Sequence, residues 1–465
     1  MKVSRQHIFM SPVSSLARNG LIDCLLTCVA VFSLAGCGSQ PVPLKVSSSS
    51  QVSAVSGRVM GGQQPVAGAS VYLFGTLSAG EGYGYDANDQ YGFAGSAIPV
   101  STASDGTFSL TSKLQCLDDT QVYLFVAGGN SGSGTNGNLT LMAALGYCDR
   151  LNSSSIIEVN ELTTVATVYA LAPFMLPPNP ADTADPNAIS VGASTTGQQG
   201  MALAFASVNQ LVNTTTGTAP GPALPANATV DLAKLNSLAD ILAACVNSTG
   251  GVAGDGSLCG DLFTAATPPG GTAPTDTASA LLNIVQNPGN DVGALFNLVQ
   301  ADAVFVPALT AIPNDWTLTA TYAPAGLSTP SSVAIDAFGN VWLASKGNGA
   351  VVELANSGAV ASTTSTQGLH TPVALALDAG GVPWVGDSTT SSLIYVQTSG
   401  SITASGGTGG LNLPSGIALD AAGNVWVSDR GANTVTVLNK SGMPVSSGYT
   451  GAGINKPLAV ALSTH

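Results

Sequence analysis

The feature that most constrains this chain is a self-similarity with a period of 42 residues near its C-terminus. Ser331-Ser332-Val333-Ala334-Ile335-Asp336-Ala337-Phe338-Gly339-Asn340-Val341-Trp342 returns as Val373 to Trp384 and again as Ser415 to Trp426. Three of the four tryptophans, Trp342, Trp384 and Trp426, share one register, as do Asp336, Asp378 and Asp420, and Pro330, Pro372 and Pro414. A unit of about 40 residues holding four short strands and turn residues is a propeller blade, which buries its faces only against neighbouring blades. In the first copy the strands are predicted at about 332–335, 341–345, 350–354 and 359–363. One period back, Thr317 to Tyr322 matches the fourth strand of a preceding blade. One period forward, Leu458 to Leu462 matches the first strand of a following one. The segment 313–465 is therefore expected to be a partial β-propeller of about 3.5 blades, an open arc with an exposed strand edge and apolar faces.

The repeated pattern P-x-x-[IVL]-A-[IL]-D-x-x-G-N-V-W-V-x-[DS] resembles NHL repeats, and more loosely the propellers of streptogramin lyases and gluconolactonase-like enzymes. Six blades are common in such propellers, so the resemblance implies an open arc or a chain shortened relative to its family. The second copy departs from the pattern, with Val382-Pro383 where the others have Asn-Val. Pro383 lacks a ladder donor, which predicts a local distortion of that strand. The register aspartates are expected to accept backbone N–H bonds from the turns that follow them, and the register tryptophans to pack between blades.

Charge excludes one class of partner. The 465 residues hold 12 Lys and Arg against 26 Asp and Glu, a net charge of −14, so a polyphosphate is repelled and no nucleic acid is expected as a partner. Only 8% of residues are charged, against roughly 25% in an average soluble domain, so Ser, Thr, Asn and the 55 Gly must make the surface. An apolar content of 45% still supplies cores, which argues against disorder.

The first 36 residues read as an export signal: Lys2, Arg5 and Arg18 precede an apolar stretch, Cys24 to Ala35, that is too short to span a bilayer. Leu34-Ala35-Gly36-Cys37 resembles the lipobox of bacterial lipoproteins, which implies cleavage before Cys37, lipid on its thiol and a chain held at the membrane outside the cytoplasm. Asp23 at the edge of the apolar stretch departs from the usual pattern. The signal carries three of the basic residues and one acidic one, which leaves 9 against 25, a net −16. It also carries Cys24 and Cys28. Once Cys37 is lipidated, Cys116, Cys148, Cys245 and Cys259 remain, and in an oxidising compartment sequence neighbours are the expected pairs, Cys116 with Cys148 and Cys245 with Cys259. The second pair would close a Gly-rich loop and contribute about 2 to 3 kcal/mol by restricting the unfolded chain.

Residues 37–52 form a Pro-rich, then Ser-rich tether. From 53 to about 150 the period is that of half-buried strands, with a hairpin predicted at Thr102 to Leu110 about the turn Asp105-Gly106. Gly57 to Val59, Pro65 to Leu73 and Thr102 to Leu110 resemble the carboxypeptidase regulatory-like, transthyretin-like β-sandwich, a module that is usually non-catalytic; the Gly- and Tyr-rich insertion 75–99 departs from it. Over 151–312 the pattern turns helical, at 161–175, 200–212, 232–246, 277–286 and 292–302, with Asn160 and Asp231 as N-caps and no charged cluster. This stretch reads as a spacer between two β modules. The fold class expected is thus multidomain: β-sandwich, mainly α-helical domain, partial propeller.

The chain offers little to catalysis. Histidine occurs only at positions 7, 370 and 465, so a metal cluster or His-based triad is hard to assemble, and no cofactor is expected. Gly132 to Gly137 matches G-x-G-x-x-G without a βαβ context, and reads as a plain loop. Asp86, Asn88 and Asp89 hint at a calcium loop that lacks its later ligands. The sequons at Asn138, Asn152, Asn213, Asn227 and Asn247 reflect composition. Lys346, Asp387, Asp429 and Arg430, at or beside the end of the second strand, are turn residues that could face a partner. The expected function is a non-catalytic, membrane-anchored, extracytoplasmic lipoprotein whose propeller binds a protein or glycan. The alternatives are a propeller lyase or lactonase using Glu353 and His370, and a truncated product without a closed propeller.

Overall fold

The computed structural model describes residues 50–52, 55–76, 99–110, 114–116, 120–151, 156–178, 189–194, 196–299, 303–365, 368–397, 402–406, 410–445, 448–451 and 453–462. The export signal, Cys37, most of the tether, the calcium-like Asp86 to Asp89 and Asn152 lie outside them, as does the side chain of Cys116.

Two sheets face each other in the N-terminal part. One holds Val55–Gly61 between Thr107–Leu110 and Ile156–Val159, with Gln64–Pro65 beside its end; the other runs Val100–Ser101, Ser70–Gly75, Gln121–Ala127, Thr140–Tyr147. The turn at Asp105-Gly106 forms, with Gly106 at φ 79°, but no hairpin follows. Val100–Ser101 pairs with Ser70–Gly75 and Thr107–Leu110 pairs with Val55–Gly61, so the chain crosses from one sheet to the other. Thr102 anchors the crossing: it is buried, donates its hydroxyl to Val66 O and accepts from Ala69 N. Ile156–Val159 lies parallel to Val55–Gly61, which moves the sandwich beyond the expected boundary at 150.

The second sheet is apolar on both faces, and this explains the unbroken run Val122-Tyr123-Leu124-Phe125-Val126. Val122, Leu124 and Val126 join the sandwich core, while Tyr123, Phe125, Phe74 and Met142 join a core built with helices. Those helices are α1 (Glu161–Leu171), α2 (Gln198–Leu211), α3 (Leu232–Val246), α4 (Leu258–Ala265), α5 (Thr277–Gln286) and α6 (Val292–Asn297). Asn160 caps α1 in a reciprocal box with Thr163, and Asp231 accepts from Lys234 N at the start of α3. The helices are a layer on the sandwich rather than a spacer beside it. All described residues fall in one compact unit. The unpredicted α4 is only eight residues long and lies between a Gly-rich loop and Pro268-Pro269, too short a window for periodicity to register.

The edge of the second sheet is sealed by threonine hydroxyls. Along the edge strand, the N–H groups of Thr140, Met142 and Ala144 donate to Thr277 of α5 and to Thr164 and Thr167 of α1, each at 2.9 Å. All three threonines are wholly buried. An unpaired buried N–H costs about 1 to 3 kcal/mol, so these bonds let the edge be buried under helices.

The repeat folds as three successive antiparallel sheets. The first blade is Pro330–Ile335, Val341–Ser345, Ala350–Leu354 and Val360–Ser365; the second is Pro372–Leu377, Pro383–Asp387, Ser392–Val396 and Ile402–Gly406; the third is Pro414–Leu419, Val425–Asp429 and Thr434–Leu438. Beyond the third blade's last strand the described residues form isolated bridges, Leu438 with Pro444 and Val435 with Tyr449. Pro383 leaves its mark: pairing with the third strand starts at Trp384, whereas in the other blades it starts one register position earlier, at Val341 and Val425. Trp342 shares a core cluster with Leu369 of the connecting loop and Leu375 and Val385 of the next blade, and Trp384 with Val425 and Val427 of the third.

The expected flanking strands behave otherwise. Ala320–Tyr322 pairs with Ala228–Val230 of the helical part and with no blade. The segment around Leu458 forms no ladder, yet it lies on the third blade as an inner strand would. Ser415 Oγ donates to Pro457 O at 2.7 Å, as Ser331 Oγ does to Pro372 O at 2.8 Å between the first two blades. Among the described residues the sheets are not closed into a ring.

One polar position staples each blade together. Ser345, Asp387 and Asp429 end the second strands, are fully buried, and accept the N–H of the residue seventeen positions earlier: Ser328, His370 and Asn412. Asp387 also accepts from Thr371, Thr389 and Thr390.

Two outcomes follow from these bonds. Thr164→Val and Thr167→Val keep shape but remove an acceptor, and each should lower unfolding free energy by about 1 to 3 kcal/mol in urea titrations. Asp387→Ala strands four N–H groups and should cost about 3 kcal/mol, well above the roughly 1 kcal/mol expected for Ser345→Ala, read by tryptophan fluorescence.

Candidate functional site

The strand directions sort the loops of the arc between two ends. At one end lie the turns after the inner strands. Asp336 accepts from Phe338 N and Asn340 N, both at 2.9 Å, and from Asn340 Nδ2 and Trp342 Nε1; Asp420 does the same with Ala422, Asn424 and Trp426. Asn424 and Trp426 donating to Asp420 hold its carboxyl below the usual range. Burial raises that of Asp336, but the bonds from Asn340, Phe338 and Trp342 outweigh it and the net is lowered. Asp378 accepts from Gly380 N and Val382 N, with Val382 in place of the asparagine. These residues are occupied in holding turns.

At the other end lie the hairpins after the second strands and the loops between blades. Lys346 and Arg430 are exposed there and share one register position, with Ser388 between them. His370 is exposed at the same end. Asp387 and Asp429 are not outward-facing turn residues, contrary to the sequence reading. They are wholly buried because the loops between blades need acceptors for inward N–H groups. Burial raises the carboxyl of Asp387, but bonds from Thr390, His370 and Thr371 outweigh it and hold it low. Asp429 has only Thr436 and Asn412 to offset burial, and stays raised.

The geometry separates Glu353 from His370. Glu353 accepts from Ser362 Oγ in the neighbouring strand at 2.9 Å. The carbonyls of Leu369 and His370 pack close to Gly349, at the opposite end of the strand from Glu353. Four residues of extended chain put about 13 Å between these points. Among the described residues no group of three or more His, Cys, Asp or Glu could hold a metal.

The G-x-G-x-x-G segment is a structural loop. Gly132 N and Gly134 N both donate to Asn130 Oδ1, and Asn136 Nδ2 and Ser131 Oγ donate to the Cys245 and Val246 carbonyls that end α3. Cys245 and Cys259 are joined by a disulfide, Cα atoms 4.4 Å apart, tying α3 to α4. Cys148 is also disulfide-bonded.

Two features escaped the sequence reading. The first is a cavity of about 390 Å³ between the segment Tyr322 to Leu327 and the first blade, where Val341, Leu343 and Leu354 form the wall. The second is a pair of buried carboxylates in the helical layer, where no charged cluster was expected. Glu161 is fully buried and takes Gly62 N on both oxygens at 2.9 Å, and Asp240 is 4% exposed. Burial pushes their carboxyls up to about 8 and about 6. The available signal was an ionisable residue set in the otherwise apolar run Leu238-Ala239-Asp240-Ile241-Leu242.

Residues 411–438 match the family model described as NHL repeat. No curated protein matches the chain. Among solved structures, a streptogramin B lyase is 16% identical, covering 29% of this chain and 45% of its own, with a TM-score of 0.27. A catalytically inactive virginiamycin B lyase from Staphylococcus aureus with quinupristin is 16% identical over 31% of this chain and 48% of its own, TM-score 0.28. A nidogen/laminin complex is 18% identical over 31% and 55%, TM-score 0.27. The chain thus spans about half the length of each. The matched repeat falls in the third blade, so the C-terminal arc of repeated sheets is similar to NHL repeats over that one blade.

Proposed function

We propose that this chain is an exported lipoprotein, anchored at the membrane through lipid on Cys37, whose propeller arc binds a protein without catalysing a reaction on it. The observation that carries this reading is the uncovered face of the first blade. Val333 is 59% exposed and Ile335 67%, while Leu375, which occupies the position of Val333 in the second blade, is 6% exposed because the first blade covers it. Phe338, in the turn after this strand, is also 68% exposed. An apolar sheet face of this kind is the chemistry of a protein contact more than of a glycan site. Lys346, His370 and Arg430 add donors at the loop end of the arc, where a partner seated against the blades meets them.

The N-terminal part fits the same reading. We read the two-sheet sandwich as a carboxypeptidase regulatory-like stalk, with a Cys116–Cys148 disulfide fastening the end of the strand Thr140–Tyr147 and the helical layer stiffening it. Anchorage is assigned to lipid on Cys37 from the Leu34-Ala35-Gly36-Cys37 pattern; among the described residues no helix is long and apolar enough to cross a membrane.

Replacing Cys37 with Ser should move the protein from the membrane to the soluble fraction, and continued retention would defeat the anchor. A photo-crosslinking residue at Val333, introduced in cells, should give a discrete protease-sensitive adduct that one at exposed Leu176 does not. A protease-resistant adduct would assign a glycan instead. Metal-dependent lyase or lactonase turnover abolished by Glu353→Gln or His370→Ala would replace the binding reading with an enzymatic one.

A further inference from the structure

We infer that the loop end of the arc is a docking surface for an acidic protein segment, whose carboxylates meet Lys346, Arg430 and Lys456. This rests on the protein-binding reading above and names the chemistry of the partner.

The charges of the arc are sorted by end. At the end of the turns after the inner strands lie Asp336, Asp378 and Asp420, with Lys440 beside Gly423. At the other end the hairpins 346–349, 388–391 and 430–433 and the described loop residues 323–329, 368–371 and 410–413 contain no Asp or Glu. They carry Lys346, His370 and Arg430, all exposed. Lys456, also exposed, joins them, since its N–H donates to Asn433 Oδ1 of the third hairpin at 2.8 Å. The carboxylates that end the second strands here, Asp387 and Asp429, are wholly buried and engaged by inward N–H groups. In a chain of net charge −14 with only 8% of its residues charged, an end whose exposed charges are all positive departs from the rest of the surface.

These cations are uncommitted. Elsewhere Arg58 pairs with Glu158, Lys234 with Asp315, and Arg150 lies over the Tyr147 ring. No ion pair among the described residues involves Lys346, Arg430 or Lys456. The helical layer attaches at the opposite end of the first blade: Leu203 of α2 packs against Gly339, Gln210 donates to Ser357 O and Asn227 to Gly358 O. The cationic end takes no part in those contacts.

Position and lining decide the class of partner. The uncovered apolar face of the first blade adjoins this end: Leu343 lies opposite Val333, and three residues of strand, about 10 Å, carry the chain from there to Lys346. An apolar patch with a cationic rim fits a protein surface that sets carboxylates beside apolar side chains. The hairpins and loops named above hold no Trp, Tyr or Phe, so no ring is there to stack on a sugar.

Fluorescence anisotropy of the purified full chain with a fluorescein-labelled decaglutamate peptide tests this, with a labelled heparin oligosaccharide as a separate probe. Saturable binding of decaglutamate is expected, about tenfold weaker when salt rises from about 20 to about 200 mM. Lys346→Glu combined with Arg430→Glu should weaken it by at least about tenfold, and Lys440→Glu at the other end should leave it within about twofold. Circular dichroism establishes that both variants are folded. Decaglutamate that fails to saturate by about 1 mM, or that binds the double variant as it binds the wild-type chain, overturns the proposal. So does a heparin oligosaccharide that binds more tightly than decaglutamate and loses affinity in the double variant, which would assign an anionic glycan. In cells the double variant should lower the yield of the Val333 adduct. An adduct undiminished by it overturns the acidic partner and leaves the protein-binding reading standing, whereas a missing adduct on the otherwise unaltered chain defeats the protein-binding reading itself.

Discussion

The strand Thr140–Tyr147 is the constraint on which the N-terminal half depends. It ends a sheet whose two faces serve two different cores, so the strand must be buried on both sides and along its outer edge. Water cannot satisfy the edge, and another strand would extend the sheet beyond what the helices cover. The hydroxyls of Thr164, Thr167 and Thr277 solve this by accepting the outward N–H groups at alternate residues. Because two of them sit on α1, the same bonds fix the height and rotation of that helix, and through it the packing of α2, α3 and α5 around Phe205, Leu238 and Leu281.

A scarcity of charge gives the whole molecule a common way of satisfying its backbone. Short polar side chains accept N–H groups where longer charged ones would carry entropy and desolvation costs. Asp336 and Asp420 hold turns, Ser345, Asp387 and Asp429 hold the loops between blades, and Asn236, Ser237 and Asp240 on α3 hold Pro307, Leu309 and the Val304-Phe305 pair. Segment 303–309 is the connection from helices to propeller, so the polar face of α3 determines where the arc begins. Only two ion pairs accompany these bonds among the described residues, Arg58 with Glu158 and Lys234 with Asp315, each at least partly exposed.

The propeller meets the helical layer through polar and aromatic contacts at its first blade. Gln210 of α2 donates to Ser357 O and accepts from Tyr322 Oη, and Asn227 donates to Gly358 O. Gly358 has φ 80°, and a Cβ there would lie 2.0 Å from the Tyr322 ring. The positive φ of this turn already favours glycine; the close approach of Tyr322 is a second reason particular to the first blade. These contacts lie at the edge of the blade and leave Val333 and Ile335 uncovered.

The sequence by itself determined what local chemistry and periodicity can encode. The 42-residue register set the blades, their turn aspartates and their packing tryptophans, and Asn160 and Asp231 marked helix starts, because each is decided within a few residues of the chain. The tertiary structure decided everything that depends on which distant segment lies opposite. The Thr102 to Leu110 hairpin gave way to a crossing between sheets, since Thr102 finds Val66 and Ala69 across the sandwich. Thr317 to Tyr322 left the blade it resembles for a partner strand at 228–230. Asp387 and Asp429 turned from surface to interior because loops seventeen residues away needed acceptors. The cationic end of the arc belongs to this second class: Lys456 joins Arg430 there through Asn433, twenty-three residues earlier, and no spacing along the chain brings them together.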